Sequence, residues 1–152
     1  MKRPSLEDTL LIHDLYARYS WALDTGDTDA YVALYLPDAV VYENVPEGVR
    51  QARGHDEIRE FVMRFHANPA FPGRQHRSSQ LVILPDPEGR DDRWQVRTYV
   101  LTTDTKEGAS PILYWCGCAF DTVAKVGHEW FLAVREIKPW AGEILERFGA
   151  AS

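Results

Sequence analysis

Asp24 and His76 are the residues of this 152-residue chain whose types and settings point most directly to chemistry. Asp24 ends an N-terminal amphipathic stretch that carries Tyr19 five residues earlier, and His76 stands in Gly73-Arg-Gln-His-Arg-Ser-Ser-Gln-Leu81. An acid where a helix finishes faces the negative end of the helix macrodipole. That costs a few tenths to about 1 kcal/mol unless a cationic or proton-donating partner offsets it. A histidine can be that partner. An imidazole whose ring N–H is held by a carboxylate is a better oriented and more basic proton acceptor, the arrangement general-base chemistry uses near neutral pH. The plain alternative is structural: Asp24-Thr-Gly-Asp27 is also a good turn, because Asp side chains bond nearby backbone amides.

The elements that must position these residues read as helices first, then strands. Ser5-Leu-Glu-Asp8 is a capping-type start, and Leu11, Ile12, Leu15, Tyr16, Tyr19 and Leu23 recur at helical spacing up to Gly26. Asp27 or Thr28 caps a short second helix through Ala30, Leu34 and Tyr35, closed by Pro37. Asp38 to Tyr42 reads as a strand, and Glu43 to Gly48 as a turn region. A third helix follows Gly54, with Ile58, Phe61, Val62 and Phe65 on one face. After a Pro/Gly-punctuated loop, Asn68 to Gly73, only strands follow: Ser79 to Pro85, Arg93 to Thr103, Ile112 to Val123 and Glu129 to Lys138. Long sequential strands joined by short turns imply an antiparallel meander. Helices segregated before a sheet imply an α+β layer architecture, the helices covering one face of a strongly curved sheet.

Length and charge bound the rest. A chain of this size forms one domain, spanning 1–152, and buries about 68–70% of the surface its unfolded form exposes. With 17 Lys+Arg against 23 Asp+Glu the formal charge is −6, which argues against nucleic acid and anionic membrane as partners. Arg74, Arg77, Arg90, Arg93 and Arg97 form the densest basic group, but Asp86, Glu88, Asp91 and Asp92 interleave with them. No run of about 18 apolar residues and no apolar signal core occurs, so a soluble, cytoplasmic protein is expected. Cys116 and Cys118 sit two apart in an apolar run. They make a poor disulfide, fit no zinc spacing, and read as small core residues. His13 reads as partly exposed, His55 as a helix cap, His66 as a cation at a helix end and His128 as a turn residue. None forms a helical metal pair, and no metal is expected. The aromatics Trp21, Tyr35, Tyr42, Trp94, Tyr99, Tyr114, Trp115 and Trp130 are candidates for an apolar pocket, with about half of them plain core.

The run from Leu15 through Tyr19, Asp24 and Asp27 to Asp38-Ala-Val-Val41, followed by Arg53-Gly-His-Asp-Glu-Ile58-Arg-Glu-Phe61, resembles the opening of the SnoaL-like, ketosteroid-isomerase-type cone fold. Within that superfamily Tyr19, Asp24 and the His76 of Gln75-His76-Arg77 are similar to the scytalone-dehydratase-like branch, which includes bile-acid dehydratases. The segment Trp130 to Trp140 also resembles the end of scytalone dehydratase. The resemblance implies a curved antiparallel sheet forming a cone-shaped half barrel, covered by N-terminal helices around an internal apolar pocket. It implies that His76 is the acid/base residue, that Asp24 orients it, and that Tyr19 polarises a substrate carbonyl, with no cofactor.

Departures from the family are equally informative. Glu43 stands where the steroid isomerases keep their aspartate base, as a second base or a solvated mouth residue. Their second oxyanion donor falls near Cys116, and a thiol is a weak donor, so steroid double-bond isomerisation is not expected. The dehydratases' additional strand residue falls near Thr98 or Asp104. Glu43, Tyr42, Thr98 and Trp115 are the expected substrate contacts. The expectation is a cofactor-free dehydratase or isomerase for a hydrophobic cyclic or polyketide-like carbonyl compound, assembled as a homodimer or homotrimer. The other class is non-catalytic: the cone fold also resembles the small β subunit of aromatic-ring-hydroxylating dioxygenases, an assembly role, and includes simple ligand binders.

Overall fold

The computed structural model describes residues 2–45 and 47–148. Helix α1, Leu6–Thr25, starts where Ser5 Oγ accepts the Asp8 N–H at 3.0 Å and ends at Gly26, whose φ of 78° is the left-handed cap conformation. Its buried stripe, Ile12, Leu15, Tyr16, Tyr19, Ala22 and Leu23, faces the sheet. Helix α2, Thr28–Ala33, is capped by Asp27, which accepts the Ala30 N–H at 2.9 Å. Helix α3, Gly54–His66, buries Ile58, Phe61 and Val62.

The six strands are β1 (Tyr35–Val45), β2 (Gly48–Arg53), β3 (Arg74–Pro85), β4 (Arg93–Asp104), β5 (Ile112–Val126) and β6 (Glu129–Pro139), followed by a 3₁₀ turn, Gly142–Phe148. They form one curved, unclosed sheet in the order β2-β1-β6-β5-β4-β3. All neighbours are antiparallel except β1 and β6, which run parallel. Breaks of register curve it. One lies between Ser79 and Val82, where Gln80 adopts φ 48°, and others lie in the β4–β5 and β5–β6 ladders. The helices pack on the concave face, where Ile12, Leu15, Ile58, Val62, Val96, Val123 and Leu132 are fully buried. No helix among the described residues is long and apolar enough to cross a membrane.

Three expectations need correction. Tyr35 and Pro37 belong to β1 rather than to α2. The chain turns at Leu34, Leu132 N–H bonds the Leu34 carbonyl at 2.9 Å, and Pro37 lies in the register break between Tyr35 and Val40, where no ladder bond is asked of it. The turn expected over 43–48 is shorter: β1 runs on to Val45, which pairs with Gly48 at the start of β2, and among the described residues of this stretch only Glu47 is a turn. Strand β2 itself carries Arg50, Gln51 and Arg53 at exposed edge positions, so it shows no apolar alternation. Cys116 is not core. Along β5 the inward side chains are Trp115, Gly117 and Ala119, leaving Cys116 exposed on the outer face and Cys118 buried there.

Candidate active site

Asp24 lies in the last turn of α1 and His76 on β3, two residues into the strand from Arg74. Gly73 makes that strand start possible: its φ is 99°, and a Cβ there would stand 2.1 Å from the Thr105 carbonyl oxygen. Asp24 holds His76 twice. Its Oδ2 accepts the backbone N–H at 2.8 Å, and its Oδ1 lies 2.5 Å from Nδ1. A carboxylate only accepts, so Nδ1 carries the hydrogen, and in the neutral imidazole Nε2 then presents its lone pair away from Asp24. The acid at the helix end thus finds the donor it needs.

The ends of three helices fix this pair. His66, at the end of α3, bonds the Leu23 carbonyl through Nε2 at 2.9 Å and the Thr28 hydroxyl through Nδ1 at 2.8 Å, tying α1, α2 and α3 together one residue from Asp24. Phe71 packs against both imidazoles, stacked on His76 at 22° and edgewise on His66, each at 5.9 Å. His66 is therefore a hydrogen-bonded brace between the helix ends. His55 is not the helix cap expected of it: Arg53 takes the N-cap position, and His55, in the first turn of α3, bonds the Tyr35 carbonyl through Nε2 at 2.8 Å.

His76 opens onto a cavity of about 250 Å³ between the helices and the sheet. Its walls are apolar at Phe61, Phe65, Phe71, Val100 and Ile137, and polar at Tyr19, Tyr31, Glu43, Arg74, Thr102 and Arg135. Tyr19 is buried, and the Arg135 guanidinium lies 4.1 Å over its ring. Tyr31 hydrogen-bonds Tyr19 and accepts the Tyr35 hydroxyl at 3.0 Å. Burial pushes the Tyr31 and Tyr35 phenols well up, so they stay protonated donors. Arg135 is buried and ion-paired with Asp121 at 2.6 Å, and Asp121 also accepts the Tyr16 hydroxyl at 2.6 Å. Burial pushes the Asp121 carboxyl up to about 6, against the pull of Arg135 and Tyr16, while Asp121 keeps Arg135 charged. Glu43 projects into the cavity with Oε2 buried and without a hydrogen-bond partner. Burial raises its carboxyl, opposed by Arg50 and Arg64.

Of the expected site residues, Tyr19, His76, Glu43 and Trp115 line this cavity, and Asp24 stands behind His76 in an outer groove. The Trp115 ring lies across Gly117, where a Cβ would come within 2.3 Å of it. Tyr42 is corrected: strand alternation places it beside Glu43 but on the other face, in a groove with Phe120 and Val134. Thr98 is corrected too, since it shares the inward face of Val100 and Thr102 but does not reach the cavity; Thr102 stands there instead. Trp94 and Trp130 are core, while Trp21 is exposed. Arg135, Arg74 and Tyr31 escaped the sequence reading. Among the described residues no three His, Cys, Asp or Glu side chains converge as metal ligands.

The family model described as the SnoaL-like domain matches residues 4–136. The chain belongs to the SnoaL-like domain family. A candidate scytalone dehydratase from Novosphingobium aromaticivorans superposes with a TM-score of 0.71 at 26% identity, over 88% of this chain and 85% of that one. A candidate aromatic-ring hydroxylase from the same organism gives 0.76 at 24%, over 92% and 94%. The β subunit of a candidate aromatic-ring-hydroxylating dioxygenase, again from that organism, gives 0.72 at 16%, over 88% and 89%. A cystatin-like-fold protein of unknown function from Nostoc punctiforme gives 0.74 at 24%, over 91% and 95%. These likenesses establish the cone fold of this SnoaL-like protein. No functionally curated protein matches its sequence.

Proposed function

We propose that this SnoaL-like protein is a cofactor-free dehydratase or isomerase acting on a hydrophobic cyclic or polyketide-like carbonyl compound. The observation that carries this reading is the double hold of Asp24 on His76, which fixes the tautomer with Nε2 as the free base beside an apolar cavity. The candidate scytalone dehydratase among the structural relatives supports the same class.

In this reading Nε2 of neutral His76 removes a proton α to the substrate carbonyl. The C–H electron pair moves into the carbonyl to give an enolate, whose oxygen accepts a hydrogen bond from Tyr19. Asp24 stabilises the imidazolium so formed. In a dehydration the enolate then re-forms the carbonyl and expels a β-hydroxyl, which leaves as water with the proton returned by His76. In an isomerisation the proton returns to a different carbon. The protons pass between His76 and the substrate, and the carbon–oxygen bond of the dehydration breaks as the enolate collapses.

The test is turnover of a panel of hydrophobic β-hydroxy ketones. His76→Ala should lower kcat by about 10²–10⁴, the usual worth of general acid–base catalysis. Dehydration that proceeds undiminished in His76→Ala removes His76 from the mechanism. We further propose that a second copy covers the apolar side chains exposed on the sheet, among them Val82, Tyr99, Ile112 and Leu113, giving a homodimer or homotrimer that works in the cytoplasm.

A further inference from the structure

Arg74 is the cavity's unclaimed cation. It stands at the start of β3, lines both the cavity and the groove outside it, and has no carboxylate within ion-pair distance among the described residues. Its register partner Asp104 is engaged by Lys106 at 3.0 Å. Two aromatic rings hold the guanidinium: its carbon lies 4.0 Å from the Tyr114 ring centroid and 5.4 Å from that of Phe71. Stacking uses the faces of the guanidinium and leaves its in-plane N–H donors for a planar acceptor. One of them, Nε–H, is buried without a partner, a state that costs free energy until an acceptor arrives. The other charged groups on the cavity are already spoken for or face elsewhere. Arg135 is ion-paired with Asp121, though its own Nε–H is likewise buried without a partner, Asp24 lies behind His76, and Glu43 lies 3.8 Å from the Arg50 guanidinium.

Position adds reach to charge. Residues 74 and 76 both turn inward while Gln75 and Arg77 are exposed, so Arg74 and His76 share a face about 7 Å apart along the strand. We propose that Arg74 anchors a carboxylate, and that the ligand of this cavity is a compact hydrophobic acid whose reacting carbon lies within that span of its carboxylate. This deepens the reading of the cavity as a substrate site. It narrows the carbonyl compound to one carrying an acidic group a few bonds from the position His76 would deprotonate.

The experiment compares two probes of the same shape, 2-naphthoate and 2-naphthamide, by isothermal titration calorimetry. Wild type should bind the acid more tightly than the amide by about 10- to 100-fold, the worth of a charge-assisted hydrogen-bonded pair away from bulk water. Arg74→Gln should abolish that preference while keeping the amide's affinity, and Arg74→Lys should restore part of it, since a point charge lacks the planar fork. Circular dichroism and amide binding show that the variants remain folded. Equal affinities in wild type, or a preference that survives in Arg74→Gln, would overturn the proposal, the latter by assigning the anion to Arg135. The probes do not react, so the outcome is independent of catalysis. An inactive protein with the preference refutes only the proton-transfer reading, and an active one without it refutes only this anchor.

Discussion

Asp24→Asn is the sharpest probe of the site because the structure dictates how the amide must sit. The carboxylate accepts from two donors of His76, the backbone N–H at 2.8 Å and Nδ1 at 2.5 Å. An asparagine has one acceptor and one donor in their place. If its oxygen faces Nδ1–H, its NH₂ opposes the backbone N–H, two donors head to head. If the oxygen takes the backbone N–H, the NH₂ donates to Nδ1, and the imidazole must carry its hydrogen on Nε2. The second arrangement satisfies every group, so it wins. The fold survives and the base is lost. Two charge-assisted bonds, about 1.5–3 kcal/mol each, become neutral ones of about 0.5–1.5 kcal/mol, while removing an acid from a helix C-terminus returns about 0.3–1 kcal/mol. The net loss is about 1–3 kcal/mol, and each kcal/mol lowers Tm by about 2–4 °C in a domain of this size. Turnover should fall by about 10²–10⁴. Nitrogen-15 NMR of the His76 ring reads the tautomer without any substrate. A ring still protonated at Nδ1 in Asp24→Asn, together with unchanged turnover, would refute the reasoning.

Tyr19→Phe should lower kcat by about 10²–10³ with little change in KM, as expected for a donor to a developing oxyanion; a KM effect alone would make Tyr19 a binding wall. Because burial raises the Glu43 carboxyl in the fold, the native state holds the proton more tightly than the unfolded chain, so its contribution is full at low pH and is lost as pH rises through the raised value. Urea titrations should therefore show Glu43→Gln gaining stability on wild type between about pH 4 and pH 8, and a constant difference across that range would contradict it. Arg135→Met strands Asp121 in the core and should cost about 3–5 kcal/mol near neutral pH. Without Arg135 the Asp121 carboxyl is pushed further above its present value of about 6, so that cost should shrink as pH falls toward 6 and level off below it, as a pH series of denaturation midpoints would reveal. Sedimentation should find an oligomer that Tyr99→Lys weakens if the exposed sheet face is its interface.

Most of the fold was legible because its signals are local. Ser5, Gly26, Asp27 and Gly54 punctuate the helices, and the later strands alternate between Gly-containing turns. Pairings of distant segments were not. The parallel contact of β1 with β6 leaves no mark in either sequence, and the polar edge strand β2 shows none of the alternation that reveals a half-buried strand. The dyad sits between these cases. Asp24 at a helix end and an isolated His76 suggested a pair, yet what joins them is the seam where His66 and Phe71 lock the helix ends, and no local pattern encodes it.

Arg135 shows why the polar floor of the cavity stayed hidden. Counting by twos from the buried Trp130 and Leu132, Arg135 falls on the outward face of β6. In the β5–β6 ladder Thr122 faces Val134 but the next residue, Val123, faces Leu132, so Ala133 is an extra residue that shifts the alternation. After it Arg135 and Ile137 turn inward, one to meet Asp121 and the other the cavity wall. The same inversion orders the charges of the site. It places a neutralised ion pair under Tyr19, where an unpaired arginine would compete for an anion, and so leaves Arg74 as the cation free to bind one. Asp24, outside the cavity behind His76, can then polarise the imidazole without repelling an acid bound within.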